Sequence, residues 1–183
     1  HMKPLLLIFS ILLFSFYSFG HDKGKHFLYK WDTSSGNQWK SFGDEQIHDK
    51  YEGEIKRYPD HGQGSYYFSD GSRYVGEFSS GKKTRYGIFT YAAGGNYEGE
   101  WRGGKRHGYG IFVFDDRSIY DGQWKNDLYH GQGTFLFPDG SKYVGQFENC
   151  EMNGYGIEYY ADGSIYRQGI YKDNEFLRWQ KRN

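Results

Sequence analysis

From Tyr97 the chain alternates in a strand-like way: Tyr97, Gly99 and Trp101 fall on one face and Glu98 and Glu100 on the other. A polar stretch, Arg102 to His107, interrupts the pattern. Alternation then resumes, with Gly108, Gly110, Phe112 and Phe114 set against Tyr109, Ile111 and Val113. Two short alternating runs joined by a glycine-bearing loop predict a β-hairpin. Asp70-Gly71, Asp139-Gly140 and Asp162-Gly163 predict the turns that link one hairpin to the next, because glycine accepts positive φ.

The pattern repeats. Tyrosines stand at 51, 74, 97, 120, 143 and 166, and glycines at 53, 76, 99, 122 and 145, all with a period of 23 residues. A second glycine series at 64, 87, 110, 133 and 156 and an aromatic series at 68, 91, 114, 137 and 160 keep the same period. A fixed period of this size marks a repeat architecture. Five units follow: 51–73, 74–96, 97–119, 120–142 and 143–165. Glycine weakens a strand, yet here every glycine shares a face with large aromatics, which predicts rings lying over bare backbone on the neighbouring strand. The expected fold is all-β, an elongated, twisted, single antiparallel sheet of tandem hairpins. Ten repeat strands at ~4.8 Å spacing give a ribbon roughly 45–50 Å long.

The flanks fit less well. Residues 21–50 hold Trp31, Trp39 and Phe42 without the repeat and are read as an N-terminal cap. Residues 166–183 are read as a partial sixth repeat and C-terminal cap, with Gly169 and Tyr171 arriving one residue late. Departures also occur inside the array: Thr84-Arg85 replaces His-Gly, Arg117 replaces a turn glycine, and Glu158 replaces an aromatic.

Composition agrees with strands and turns. Aromatics make up 21% of the chain and glycines number 27, against 3 prolines. The formal net charge is zero, which gives no global attraction to nucleic acid and leaves only local patches to act electrostatically. Cys150 is the only cysteine, so no disulfide can form within the chain. After Met2 and Lys3 an apolar run extends from Leu5 to Phe14 and more weakly to Phe19, with small residues at Ser18 and Gly20. Residues 1–20 are therefore read as a signal peptide with cleavage before His21, placing the chain outside the cytoplasm, secreted or in a periplasm or cell envelope. An uncleaved signal acting as a membrane anchor is the alternative.

The runs Tyr97-Glu98-Gly99-Glu100-Trp101 and Gly104-Lys105-Arg106-His107-Gly108-Tyr109-Gly110 resemble the MORN repeat. So do Tyr120-Asp121-Gly122-Gln123-Trp124, His130-Gly131-Gln132-Gly133 and Phe137-Pro138-Asp139-Gly140. The resemblance covers residues 51–165. It implies an extended sheet of hairpins acting as a scaffold, dimerisation or partner-binding module, with phospholipid binding proposed for some members.

No catalytic constellation stands out: there is no Gly-x-Ser-x-Gly, no paired Cys and His, and no phosphate loop before a helix. The chain is read as a non-enzyme without cofactor or small-molecule substrate. His61, His107 and His130 share one repeat position, but alternate strands hold such positions about 9–10 Å apart, too far for one zinc ion, and no metal is expected.

Two binding surfaces are candidates. Tyr86, Ile88, Tyr109, Ile111, Val113, Leu136, Tyr155, Ile157 and Tyr159 alternate onto the face opposite the aromatic–glycine stripe, and are read as the surface for a partner protein or a second copy. Lys82, Lys83, Arg85, Arg102, Lys105 and Arg106, with Lys56 and Arg57 before them, are expected on the hairpin loops. They form the alternative surface, one for anionic phospholipid at about 1 kcal/mol per basic residue.

Overall fold

The computed structural model describes residues 26–53 and 61–179. The expected signal segment, residues 1–20, lies outside them, as do Lys56 and Arg57. Among the described residues the chain forms one sheet of 14 antiparallel strands. An N-terminal hairpin, β1 (His26–Thr33) and β2 (Gly36–Lys40), lies at one end. The first repeat supplies β3 (Lys50–Gly53) and β4 (Gly62–Tyr67). The second gives β5 (Arg73–Ser79) and β6 (Lys82–Thr90), the third β7 (Asn96–Arg102) and β8 (Lys105–Val113). Then come β9 (Ile119–Lys125) and β10 (Leu128–Leu136), and β11 (Lys142–Glu148) and β12 (Glu151–Tyr159). The hairpin β13 (Ile165–Lys172) and β14 (Glu175–Trp179) closes the other end. Strands β3 to β14 pair in chain order, while β1 pairs with β3 and leaves β2 at the edge.

One row of cross-strand partners is glycine from Gly53 through Gly64, Gly76, Gly87 and Gly99 to Gly156 and Gly169. A parallel row runs Tyr51, Tyr66, Tyr74, Phe89, Tyr97, Phe112, Tyr120, Phe135 and Tyr143. Each repeat's first tyrosine lies over the glycine of its hairpin partner. A Cβ on Gly133 would sit 2.7 Å from the Tyr120 hydroxyl and 2.8 Å from its ring carbons. The hydroxyl then donates to a backbone carbonyl three residues on: Tyr97 to Glu100 at 2.9 Å, Tyr120 to Gln123 at 2.8 Å. Trp101 and Trp124 reach back one repeat, donating Nε1–H to the Gly87 and Gly110 carbonyls at 3.1 and 2.9 Å. These rings are the core. Tyr51, Tyr74, Tyr97, Tyr120 and Tyr143 have no exposed surface, and each buried ring contributes roughly 2–3 kcal/mol of apolar transfer.

The hairpin connection is shorter than the sequence suggests. The polar stretch Arg102–His107 holds only a two-residue turn, Gly103-Gly104, and β8 already begins at Lys105. Both turn residues have positive φ, as do Ser80-Gly81, Asn126-Asp127, Asn149-Cys150 and Asp173-Asn174. Such turns match the right-handed twist of the strands they join. After each of these turns except the last, the second strand bulges at a positive-φ residue: Gly108, Gly131 and Gly154, but Arg85 in the second repeat. The side chain opposite fills the bulge, Glu100 accepting the Tyr109 amide and Gln123 the Gln132 amide at 2.9 and 2.7 Å. In the second repeat Glu77 turns to the Arg85 guanidinium instead, at 3.5 Å.

The last hairpin is offset. Tyr166, expected to open a sixth repeat, is exposed; Arg167 takes the place of the opening tyrosine, and Tyr171 is buried where Trp124 and Phe147 stand in the earlier repeats. The register shift between Glu158 and Tyr159 accounts for this, since it brings Arg167 opposite Glu158.

Candidate binding surfaces

The two faces differ in kind. On the face opposite the rings, Tyr86, Ile88, Tyr109 and Ile111 are exposed, at 50, 37, 61 and 42%. Val113, Leu136, Tyr155, Ile157 and Tyr159 are half-buried there. The stripe is not continuous. The row through Val75 and Ile88 passes Glu98, Ile111, Asp121, Thr134 and Val144 before Ile157 and Gln168, so carboxylates interrupt it in the third and fourth repeats. These polar groups tie the rings down: the Tyr86 hydroxyl donates to Glu98 Oε1 at 2.8 Å, and Gln123 Nε2 donates to the Tyr109 hydroxyl at 3.1 Å. Nearer the Asp-Gly turns, Val113, Ile119 and Leu136 are adjacent across three strands, followed after Lys142 by Tyr159 and Ile165. Ile119 and Ile165 belong to this patch by cross-strand register, which a single-repeat reading does not supply.

The basic residues are not together on loops. Lys82, Lys83, Arg85, Lys105 and Arg106 are strand residues, and Arg102 ends β7. Lys83 and Arg106 turn onto the aromatic face. Lys83 Nζ lies 4.4 Å from the Phe89 centroid and 4.3 Å from that of Trp101. The Arg106 guanidinium lies 4.4 Å from the Trp124 ring and pairs with Asp127 at 3.3 Å. Strand alternation sorts these two away from Lys82 and Lys105: their apolar stems cover rings while their charges meet π-faces. Burial pushes the Lys83 ammonium down to about 8, with Asp127 raising it and Arg106 lowering it in smaller measure. That leaves Lys82, Arg85, Arg102 and Lys105 exposed on this edge, with Arg85 paired to Glu77.

His107 Nδ1 is buried without a hydrogen-bond partner, and among the described residues no three His, Cys, Asp or Glu side chains gather as a metal site. Cys150 stands in a turn, where its Sγ accepts the Tyr129 amide at 3.3 Å. A groove of about 400 Å³ opens on the aromatic face between the N-terminal hairpin and the turns of the second and third repeats. Its walls come from strands β1 to β6 together, so no pattern along one strand marks it.

No curated protein matches the chain. A solved structure that resembles it is the Drosophila melanogaster SAS-4 (dCPAP) TCP domain in complex with a proline-rich motif of Ana2 (dSTIL), at 13% identity, 77% coverage of each chain and a TM-score of 0.34. Residues 51–73, 74–96, 97–119, 120–142 and 143–165 each match the MORN repeat. With the glycine row, the tyrosines over it and the unbroken hairpin order, the chain belongs to the MORN repeat family.

Proposed function

We propose that this chain is a non-catalytic scaffold that binds a partner protein through the sheet face opposite its aromatic core. One observation carries the reading: Tyr86, Ile88, Tyr109 and Ile111 are exposed on a sheet whose core cluster, among the described residues, lies on the other side. Rigid tyrosines held by Glu98 and Gln123, with small aliphatics between them, give large contact area at low entropic cost. The signal segment read in residues 1–20 supports action outside the cytoplasm.

The test compares the wild-type chain with Tyr109→Ser/Ile111→Ser and with Lys82→Glu/Lys105→Glu, by cross-linking, sizing and phosphatidylserine vesicle sedimentation. Partner capture or self-association is expected to vanish in the first variant and survive in the second. A monomer that captures nothing, or vesicle binding abolished only by charge reversal, would sink the reading. N-terminal sequencing of the exported protein is expected to begin near His21.

A further inference from the structure

The position 23 residues apart that holds Lys83, Arg106, Tyr129 and Met152 always places its side chain on the aromatic face. Arg106 shows what a cation there requires. Asp127, in the turn of the following hairpin, accepts the Arg106 Nε at 3.3 Å and its backbone amide at 2.9 Å, and the Asp127 carbonyl accepts Nη2 at 3.0 Å. One repeat earlier the frame recurs without the acid. Gly104 takes the place of Asp127, its amide donating to the Lys83 carbonyl at 2.9 Å as that of Asp127 donates to the Arg106 carbonyl at 3.0 Å. Among the described residues no carboxylate lies within ion-pairing distance of Lys83. Nothing lies within 4 Å of where a Cβ on Gly104 would stand, so the place held by the Asp127 side chain is open beside Lys83.

That place gives onto the 400 Å³ groove, which Gly104 and Lys83 line together with Trp39, Tyr66, Phe68 and Phe78. Lys30, whose Nζ pairs with Asp32 at 3.8 Å, and the exposed Lys82 line it too, and Tyr66 on its floor donates to Asp49 at 2.9 Å. A half-buried ammonium over rings has lost water without gaining an anion, and a carboxylate brought to it recovers both Coulomb energy and hydrogen bonds. The volume holds two or three side chains of an extended segment, and a concave aromatic floor suits a peptide rather than the plane of a bilayer.

We propose that this groove binds an acidic peptide segment of a partner protein. One carboxylate pairs with Lys83 where Asp127 stands beside Arg106, and the adjoining apolar side chain lies on Trp39, Tyr66 and Phe68. The site is on the face opposite Tyr109 and Ile111, so it stands or falls independently of the surface described above.

The full chain is titrated with end-blocked octapeptides alternating Glu with Phe or Leu, and with their Gln counterparts, following tryptophan fluorescence and the Lys83 side-chain nitrogen resonance. Saturable binding is expected for the acidic peptides. It should be at least tenfold weaker for the Gln peptides, for Lys83→Met, and for Gly104→Asp, which supplies the acid within the chain. Lys83→Arg and Tyr109→Ser should retain it. Met152 and Asp127 are counterparts of the two disabling substitutions in the chain's own repeats, and near-ultraviolet circular dichroism verifies their fold. The proposal is overturned by no saturation at millimolar peptide, by equal affinity for acid and amide peptides, or by undiminished binding to Gly104→Asp. Binding confined to phosphatidylserine vesicles overturns it as well.

Discussion

Glu158 and Arg167 form a bidentate ion pair, Nε to Oε2 and Nη2 to Oε1 both at 3.0 Å, where earlier hairpins bury a phenylalanine against a tyrosine. The aromatic row that starts at Tyr51 thus ends in a charge pair, and Arg167 lies over the Phe176 and Tyr171 rings at 5.1 and 5.8 Å. The Glu158 hydrogen bond holds the guanidinium above its ordinary value, with desolvation opposing. Removing one partner leaves the other half-buried and unpaired.

Glu158→Gln and Arg167→Met are each therefore expected to destabilise the last two hairpins by about 1–3 kcal/mol. Glu158→Phe/Arg167→Tyr, which extends the ring row, should match or exceed the wild type. Hydrogen exchange of the β12 and β13 amides reads this locally, which suits an array whose ends open before its middle. Equal protection in all four proteins would contradict the assignment.

Lys83 gives a pH dependence of definite sign. Its folded-state value, about 8, lies below the ordinary 10.5. The penalty on its ammonium is present in full below pH 8 and is relieved as pH rises from 8 towards 10.5. Lys83→Met should stabilise the chain at pH 7 by about 1–2 kcal/mol, allowing for the partial exposure of the side chain. The difference from wild type should shrink across pH 8–10 in urea unfolding. Above pH 10 both proteins should weaken together. Burial raises the Tyr74, Tyr97, Tyr120 and Tyr143 hydroxyls, and the stability this confers is lost as pH climbs towards their folded-state values.

The close approach of Tyr120 to Gly133 leaves no room for a side chain. Gly133→Ala is expected to cost about 2–3 kcal/mol through overpacking against the ring. Combining it with Tyr120→Leu should recover part of the loss, because a smaller side chain vacates the contact. Thermal unfolding of the two variants and the double variant measures it.

Two arginines occupy glycine conformations. Arg85 has φ 54° where Gly108 has 65°, and Arg117 has φ 71° where Gly71 has 91° and Gly140 has 86°. Left-handed backbone costs a side-chain-bearing residue roughly 1–2 kcal/mol, part of which glycine returns through unfolded-chain entropy. Arg85→Gly and Arg117→Gly are each expected to stabilise by about 0.5–1 kcal/mol. The exposed Arg85–Glu77 pair offsets little of the first. The midpoint of urea unfolding is the readout, and a downward shift would count against the strain.

Much of the fold was legible because the repeat averages out local ambiguity. The tyrosine and glycine series fixed which positions are core, and the pairing of Tyr120 with Gly133 across a hairpin is the close packing that those series imply. The turns were less legible. Asn126-Asp127 and Asp173-Asn174 carry the signal for two-residue turns, but Gly103-Gly104 sits inside a polar run that reads equally well as a longer loop. Arg106 and Lys83 were misplaced for the same reason, since shortening the loop moves them into a strand and turns them onto the rings.

The sequence by itself determined the hairpin repeat, its face alternation and its glycine–aromatic core, because strand periodicity and a 23-residue period are local and self-reinforcing. Only the tertiary structure decided which cations face rings, that Arg167 meets Glu158, and that Gly104 leaves Lys83 without the acid that Asp127 gives Arg106. Those outcomes depend on register between strands, across separations of 9 residues for Arg167 and Glu158 and 21 for Arg106 and Asp127, where a one-residue shift exchanges the two faces and no pattern along a single strand records it.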